Sequence, residues 1–112
     1  METKLILSIQ SLYPIMSQDD HFHLMSDASL FSNLIATSDF SRVMSKLQLL
    51  KLKKEPLNMM FSIKTYDGHL PVLMHGEYME NAIYVTLYDL NRMEHTKMKE
   101  FSYTKNKYKR EK

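Results

Sequence analysis

Three segments in the second half of this chain alternate apolar and polar side chains with a period of two. No other feature restricts the possible folds as much. In 59–66, Phe61, Ile63 and Thr65 fall on one side, and Met60, Ser62 and Lys64 on the other. Residues 69–75 repeat the pattern through Leu70, Val72 and Met74. Residues 82–88 set Ile83, Val85 and Leu87 against Ala82, Tyr84, Thr86 and Tyr88. Successive side chains of a strand point to opposite faces, so each segment reads as a strand with one apolar face. Asp67-Gly68 supplies the positive φ of a two-residue hairpin turn, and Gly76 through Asn81 forms the second connection. The three strands make an antiparallel meander whose apolar face must be covered.

The cover is a helix from about Ser38 to Leu52. Phe40, Val43, Met44, Leu47 and Leu50 recur at spacings of three and four and share one face. Thr37, Ser38 and Asp39 offer N-cap oxygens, while Lys51, Lys53 and Lys54 complement the dipole of the last turn, and Pro56 ends the element. Upstream, Leu5, Leu7 and Ile9 begin a strand pair that resumes at Leu12, Tyr13, Ile15 and Met16. Pro14 belongs at an edge or bend. Ser17-Gln18-Asp19-Asp20 reads as a polar turn, with a returning strand at His21-Phe22-His23-Leu24-Met25. Ser26-Asp27-Ala28-Ser29 precedes a short helical turn at 30–35.

At 112 residues, 44% hydrophobic and 25% charged, the chain suits one domain with a packed core. It has no cysteine, which excludes a disulfide framework, a thiolate metal site and a cysteine nucleophile. The expected address is therefore the cytoplasm. No stretch approaches the roughly 20 apolar residues that span a bilayer, and no membrane role is expected. Residues 1–94 carry 8 Lys/Arg against 11 Asp/Glu, whereas 95–112 carry 7 against 2. The basic character thus belongs to a tail. A helix starting near Asp89 or Asn91, with Leu90, Met93, Lys97 and Phe101 along one side, leads into that tail.

Four passages carry a family likeness. They are Leu34-Ile35-Ala36-Thr37-Ser38-Asp39 leading into the amphipathic helix, the strand Phe61-Ser62-Ile63-Lys64-Thr65-Tyr66 ending in Asp67-Gly68, the strand Pro71-Val72-Leu73-Met74-His75-Gly76, and Ile83-Tyr84-Val85-Thr86-Leu87-Tyr88-Asp89-Leu90-Asn91-Arg92. In this order, over about residues 30–95, they resemble the second half of a PAS domain. The resemblance implies a regulatory protein–protein interaction module, for sensing, signalling or dimerisation. Its contact surface would be the sheet with the flanking helix, and signals would pass through Tyr88, Asp89 and Leu90 to the exit helix. Some members of the family bind haem, and His69 or His75 would be the ligand candidates, but no axial-ligand motif is present. The family's flavin photochemistry needs a cysteine that this chain lacks.

Other constellations point weakly to chemistry. His21 and His23 share a strand face, as do His69 and His75, but neither pair has a third ligand at close spacing. Asp19-Asp20 and Glu77 with Glu80 fall in expected turns, where solvation keeps carboxylates ordinary. No phosphate loop, nucleophile elbow or His-Glu-X-X-His run occurs, so neither catalysis nor a cofactor is expected. The 10 methionines, among them Met44, Met59, Met60, Met74 and Met79, read first as core filling and second as an adaptable binding face. Tyr66, Tyr78, Tyr84 and Tyr88 with Phe22 and Phe31 are candidates for an aromatic sheet face that takes a protein partner or a second copy. Tyr84 and Tyr88 lie opposite the aliphatic stripe. The rival reading is nucleic-acid binding through the tail, with Lys105, Lys107, Lys109 and Arg110 on phosphates and Phe101, Tyr103 and Tyr108 stacking on bases. The expectation is an α+β domain over 1–94, with an antiparallel sheet, one main helix packed across it and a C-terminal exit helix, followed by a basic tail over 95–112.

Overall fold

A computed structural model describes residues 2–20, 29–66 and 68–92. Five strands form one antiparallel sheet: β1 (Glu2–Ser8), β2 (Ile15–Asp20), β3 (Leu57–Thr65), β4 (Gly68–Met79) and β5 (Ala82–Asp89), in the spatial order β2-β1-β5-β4-β3. One helix, α1 (Phe40–Lys53), packs on one face together with a 3-10 turn at Phe31–Leu34. The α+β architecture and the helix covering the sheet's apolar face are as the sequence implies. The expected exit helix and tail beyond residue 92 lie outside the described residues, as does the expected strand at 21–25 with His21, Phe22 and His23.

The period-two pattern becomes a two-sided sheet through its register. Phe61 pairs with Val72, Met74 with Leu87, and Leu5 with Val85, which aligns the apolar stripes into one inner face. Onto it α1 places Val43, Leu47 and Leu50, all essentially inaccessible, while Phe40 stays at the rim. Lys54 ends the helix in the left-handed conformation (φ 58°), its N–H donating to the Leu50 carbonyl at 2.9 Å. The Lys54 ammonium sits 5.2 Å from the Tyr78 ring centroid and that of Lys51 5.5 Å from Tyr13, so cations of the last turn roof the aromatic margins of the core.

Two expected turns are strand. Residues 17–20 belong to β2 and pair with β1 from Thr3 to Ile6. Their polarity suits an edge strand with one wet side, and Asp19 stands opposite Lys4. Residues 76–79 continue β4, and the connection to β5 is only Glu80-Asn81, both at positive φ (52° and 61°). Such a two-residue loop matches the twist of its strands. Gly76 is no breaker. A Cβ there would lie 3.2 Å from Leu50 Cδ2, so the missing side chain lets the helix approach the sheet. The β1–β2 connection also turns through positive φ, at Leu12 and Tyr13 (67° and 55°), and β2 bulges at Met16.

The expected N-cap oxygens do not cap. Asp39 stands at the N-cap, but its side chain makes no capping bond to the backbone of α1. The Asp39 carboxylate instead accepts the Ser62 N–H of β3 at 2.9 Å and an Arg42 N–H at 3.0 Å. Those two bonds, the backbone one first, hold its pKa below the usual aspartate range. A depressed carboxyl pKa contributes stability that is complete above the unfolded-state value, about 3.9, and is lost as pH falls through the folded-state value. Asp39→Asn should therefore lower stability by about 1 kcal/mol at neutral pH. The difference from wild type should begin to shrink below about pH 4 and be gone once pH lies below the folded-state value. Urea midpoints measured at several pH values check this, and parallel curves for the two proteins would contradict it.

Candidate interaction face

The core and all described helical elements occupy the inner face of the sheet, and no described element lies across the outer one. The outer side chains run in rows across the strands. Met60, Leu73, Tyr88 and Glu2 form one row from β3 through β4 and β5 to β1. The next is Asn58, His75, Thr86, Lys4 and Asp19, followed by Glu77, Tyr84, Ile6 and Ser17. Met79 and Ala82 close the patch beside the β4–β5 turn. A wholly polar row thus separates two rows that mix apolar with polar side chains.

Tyr84 and Tyr88 are both half-buried on this face, as their parity predicts. Met60 and Met79 are the conspicuous exposures, at 52% and 45%, whereas Leu73 between Met60 and Tyr88 is only 6% exposed. Exposed apolar side chains beside a covered leucine are what a desolvating contact surface needs. The central polar row is ordered by the fold. His75 Nδ1 lies 2.8 Å from Asn58 Oδ1 and its Nε2 3.2 Å from Glu77 Oε1, which clamps the ring between two acceptors.

The methionines divide as the strands require. Met59 and Met74 fill the core and Met44 packs against it, while Met60 and Met79 face outward. The proposed aromatic face is smaller than the sequence suggests. Phe31 is wholly buried against Phe61, and Tyr78 packs against the core, its OH donating to Asn81 Oδ1 at 3.1 Å. Tyr66 stands in the β3–β4 turn. Phe31 belongs inside because its turn folds back over the sheet, an arrangement that periodicity cannot reveal.

Asp89 ends β5 on the inner side and is 5% exposed. One carboxylate oxygen accepts the Asn91 N–H at 2.9 Å, and the other lies 3.9 Å from Arg92 Nε. The Leu90 N–H donates to the Pro71 carbonyl at 3.1 Å and the Arg92 N–H to that of Asp89 at 3.1 Å, so residues 90–92 form a tight turn pinned to β4. Tyr88, Asp89 and Leu90 therefore link the outer face, the core margin and the chain's exit. Lys105, Lys107, Lys109 and Arg110 lie outside the described residues.

Among the described residues no three His, Asp or Glu side chains converge as metal ligands, and none of the helices is long and apolar enough to cross a membrane. His69 and His75 share the outer face but stand six residues apart on β4, about 20 Å, too far to hold one ion. Sought among known families and curated proteins, the sequence matches no family model and no curated protein.

Proposed function

We propose that the chain is a regulatory interaction module of PAS type that works by binding a protein on the outer face of its sheet, a second copy of itself included, and catalyses no reaction. The observation that supports this reading most is the division of labour between the faces. The inner face takes the entire described core, and the outer one keeps two tyrosines, two exposed methionines and a covered leucine, set in rows on either side of the central polar row. The state of that patch would pass through Tyr88 and the Asp89-capped turn at Leu90 to whatever follows.

Charge separates this reading from its rival, in which the basic tail grips nucleic acid. The immobilised chain should retain a protein from its own cells at about 0.5 M salt, where exposed charge attraction is screened. Tyr84→Lys/Tyr88→Lys should bind that protein at least about 30-fold more weakly, the loss of a pair of central contacts. Unchanged retention by the double variant would remove the outer face from consideration. Recovery of nucleic acid alone, lost on raising the salt, would favour the tail.

A further inference from the structure

Among the described residues, the edge of the sheet at β3 is closed at its ends and open in its middle. Ser62 turns both backbone groups away from β4, where its N–H donates to Asp39 and its carbonyl accepts the Ala36 N–H at 2.9 Å. Backbone direction alternates along a strand, so Asn58 and Met60 also turn their N–H and C=O groups outward. No described residue bonds to those groups. Pro56, just before the strand, has no N–H to offer. Between these limits, Leu57-Asn58-Met59-Met60-Phe61 carries no charge, and Met60 is half-exposed. Sheets normally blunt their edges with charge, proline or a covering segment. Here such protection stops short of the middle.

We propose that this open stretch pairs antiparallel with the same stretch of a second copy, about a two-fold axis at Met59, so that Asn58 faces the partner subunit's Met60 and the reverse. The inference rests on the reading of the domain as an interaction module and names one partner for it. The register follows from which backbone groups are available. A slip of two residues one way sets Met60 against the partner's Pro56, which lacks a donor. A slip the other way sets Asn58 against the partner's Ser62, whose groups are already bonded within its own chain. In the proposed register the pairing ends where Pro56 reaches the partner's Ser62, whose outward side is already taken by its own chain, and the two open positions exchange about four hydrogen bonds. The axis stands perpendicular to the sheet, so both helices remain on one side and the two outer faces merge into a single surface.

Light scattering on the full chain reads the outcome. The weight-average mass should rise with concentration from 13.3 kDa towards twice that value by about 1 mM chain. Met60→Pro deletes an outward N–H that no strand partner uses, and should stay monomeric while keeping the wild-type circular dichroism. Asn58→Lys/Met60→Lys sets ammonium against ammonium across the axis and should be monomeric, whereas Asn58→Lys/Met60→Glu sets opposite charges together and should dimerise again. A wild type that stays at 13.3 kDa, a Met60→Pro variant that dimerises, or charge pairs with no opposite effects would each overturn the proposal. Capture through Tyr84 and Tyr88 is read independently, so a monomeric wild type would sink the edge pairing and leave the outer-face reading to its own test.

Discussion

Phe31→Ala should lower the unfolding free energy by about 3–5 kcal/mol, close to the limit for a single core truncation. The ring is wholly buried and meets Phe61 edge-on, with centroids 6.3 Å apart and planes at 82°. Part of its contribution is that geometry, about 0.5–1.5 kcal/mol beyond burial. The rest is the void its removal leaves. The surrounding segment cannot collapse into that void, because Leu30 bridges Pro14 on one side of Phe31 and Ile35 bridges Ile63 on the other. The 3-10 turn carrying Phe31 has no side-chain cap, and the ring shares its anchoring with Leu34 and with the Phe31 N–H bond to the Tyr13 carbonyl at 2.9 Å. Phe40→Ala, on the rim of α1, is the internal comparison and should cost less than about 1 kcal/mol. Urea unfolding of the two variants decides the matter. Equal losses would mean that the connection over the inner face contributes little to the fold.

Gly76→Val should destabilise by about 1–3 kcal/mol, although valine is among the best strand formers and glycine among the worst. Its Cβ would stand 3.2 Å from Leu50 Cδ2 and 3.8 Å from Leu57 Cγ, and the branched carbons beyond would have to push the helix off the sheet. Gly76→Ala should cost less, because the strain is partly offset by the backbone entropy that glycine loses on folding. The mechanism has a signature of its own. Combining Gly76→Val with Leu50→Ala should cost less than the two changes separately summed, by about 0.5–3 kcal/mol. Strict additivity in urea midpoints would show that close approach at this position is not what limits it.

Much of the architecture was legible in the residues. The parity of 59–66, 69–75 and 82–88 put the right side chains inside, and the 3.6-residue spacing from Val43 to Leu50 found the covering face of α1. What escaped has definite physical causes. Ser17 to Asp20 resembles a turn because an edge strand can be polar throughout. Gly76 resembles a breaker because a close approach by Leu50 leaves no mark near it in the sequence. Asp39 resembles a helix cap, yet its carboxylate reaches β3, 23 residues on, a tertiary choice that no local pattern encodes. For the outer face, the tyrosines were visible from strand parity. The shielding of Leu73 was not, because it depends on cross-strand neighbours and hence on register. The limits of the open stretch of β3 depend on the covering of Ser62, a tertiary contact with no local mark.

The place of β1 beside β5 sets the timing of assembly. Hairpins β1–β2, β3–β4 and β4–β5 join chain neighbours, but Glu2–Ser8 must find Ala82–Asp89 across almost the whole described chain. That joint closes the longest loop and completes the centre of the sheet, so it belongs late in folding and makes the reaction slow for a domain of this size. On the ribosome the first strand emerges long before its second neighbour is made. Until β5 is released, Leu5 and Leu7 are left with one side of their strand unpaired, and a chaperone or a second nascent chain has that interval in which to reach them.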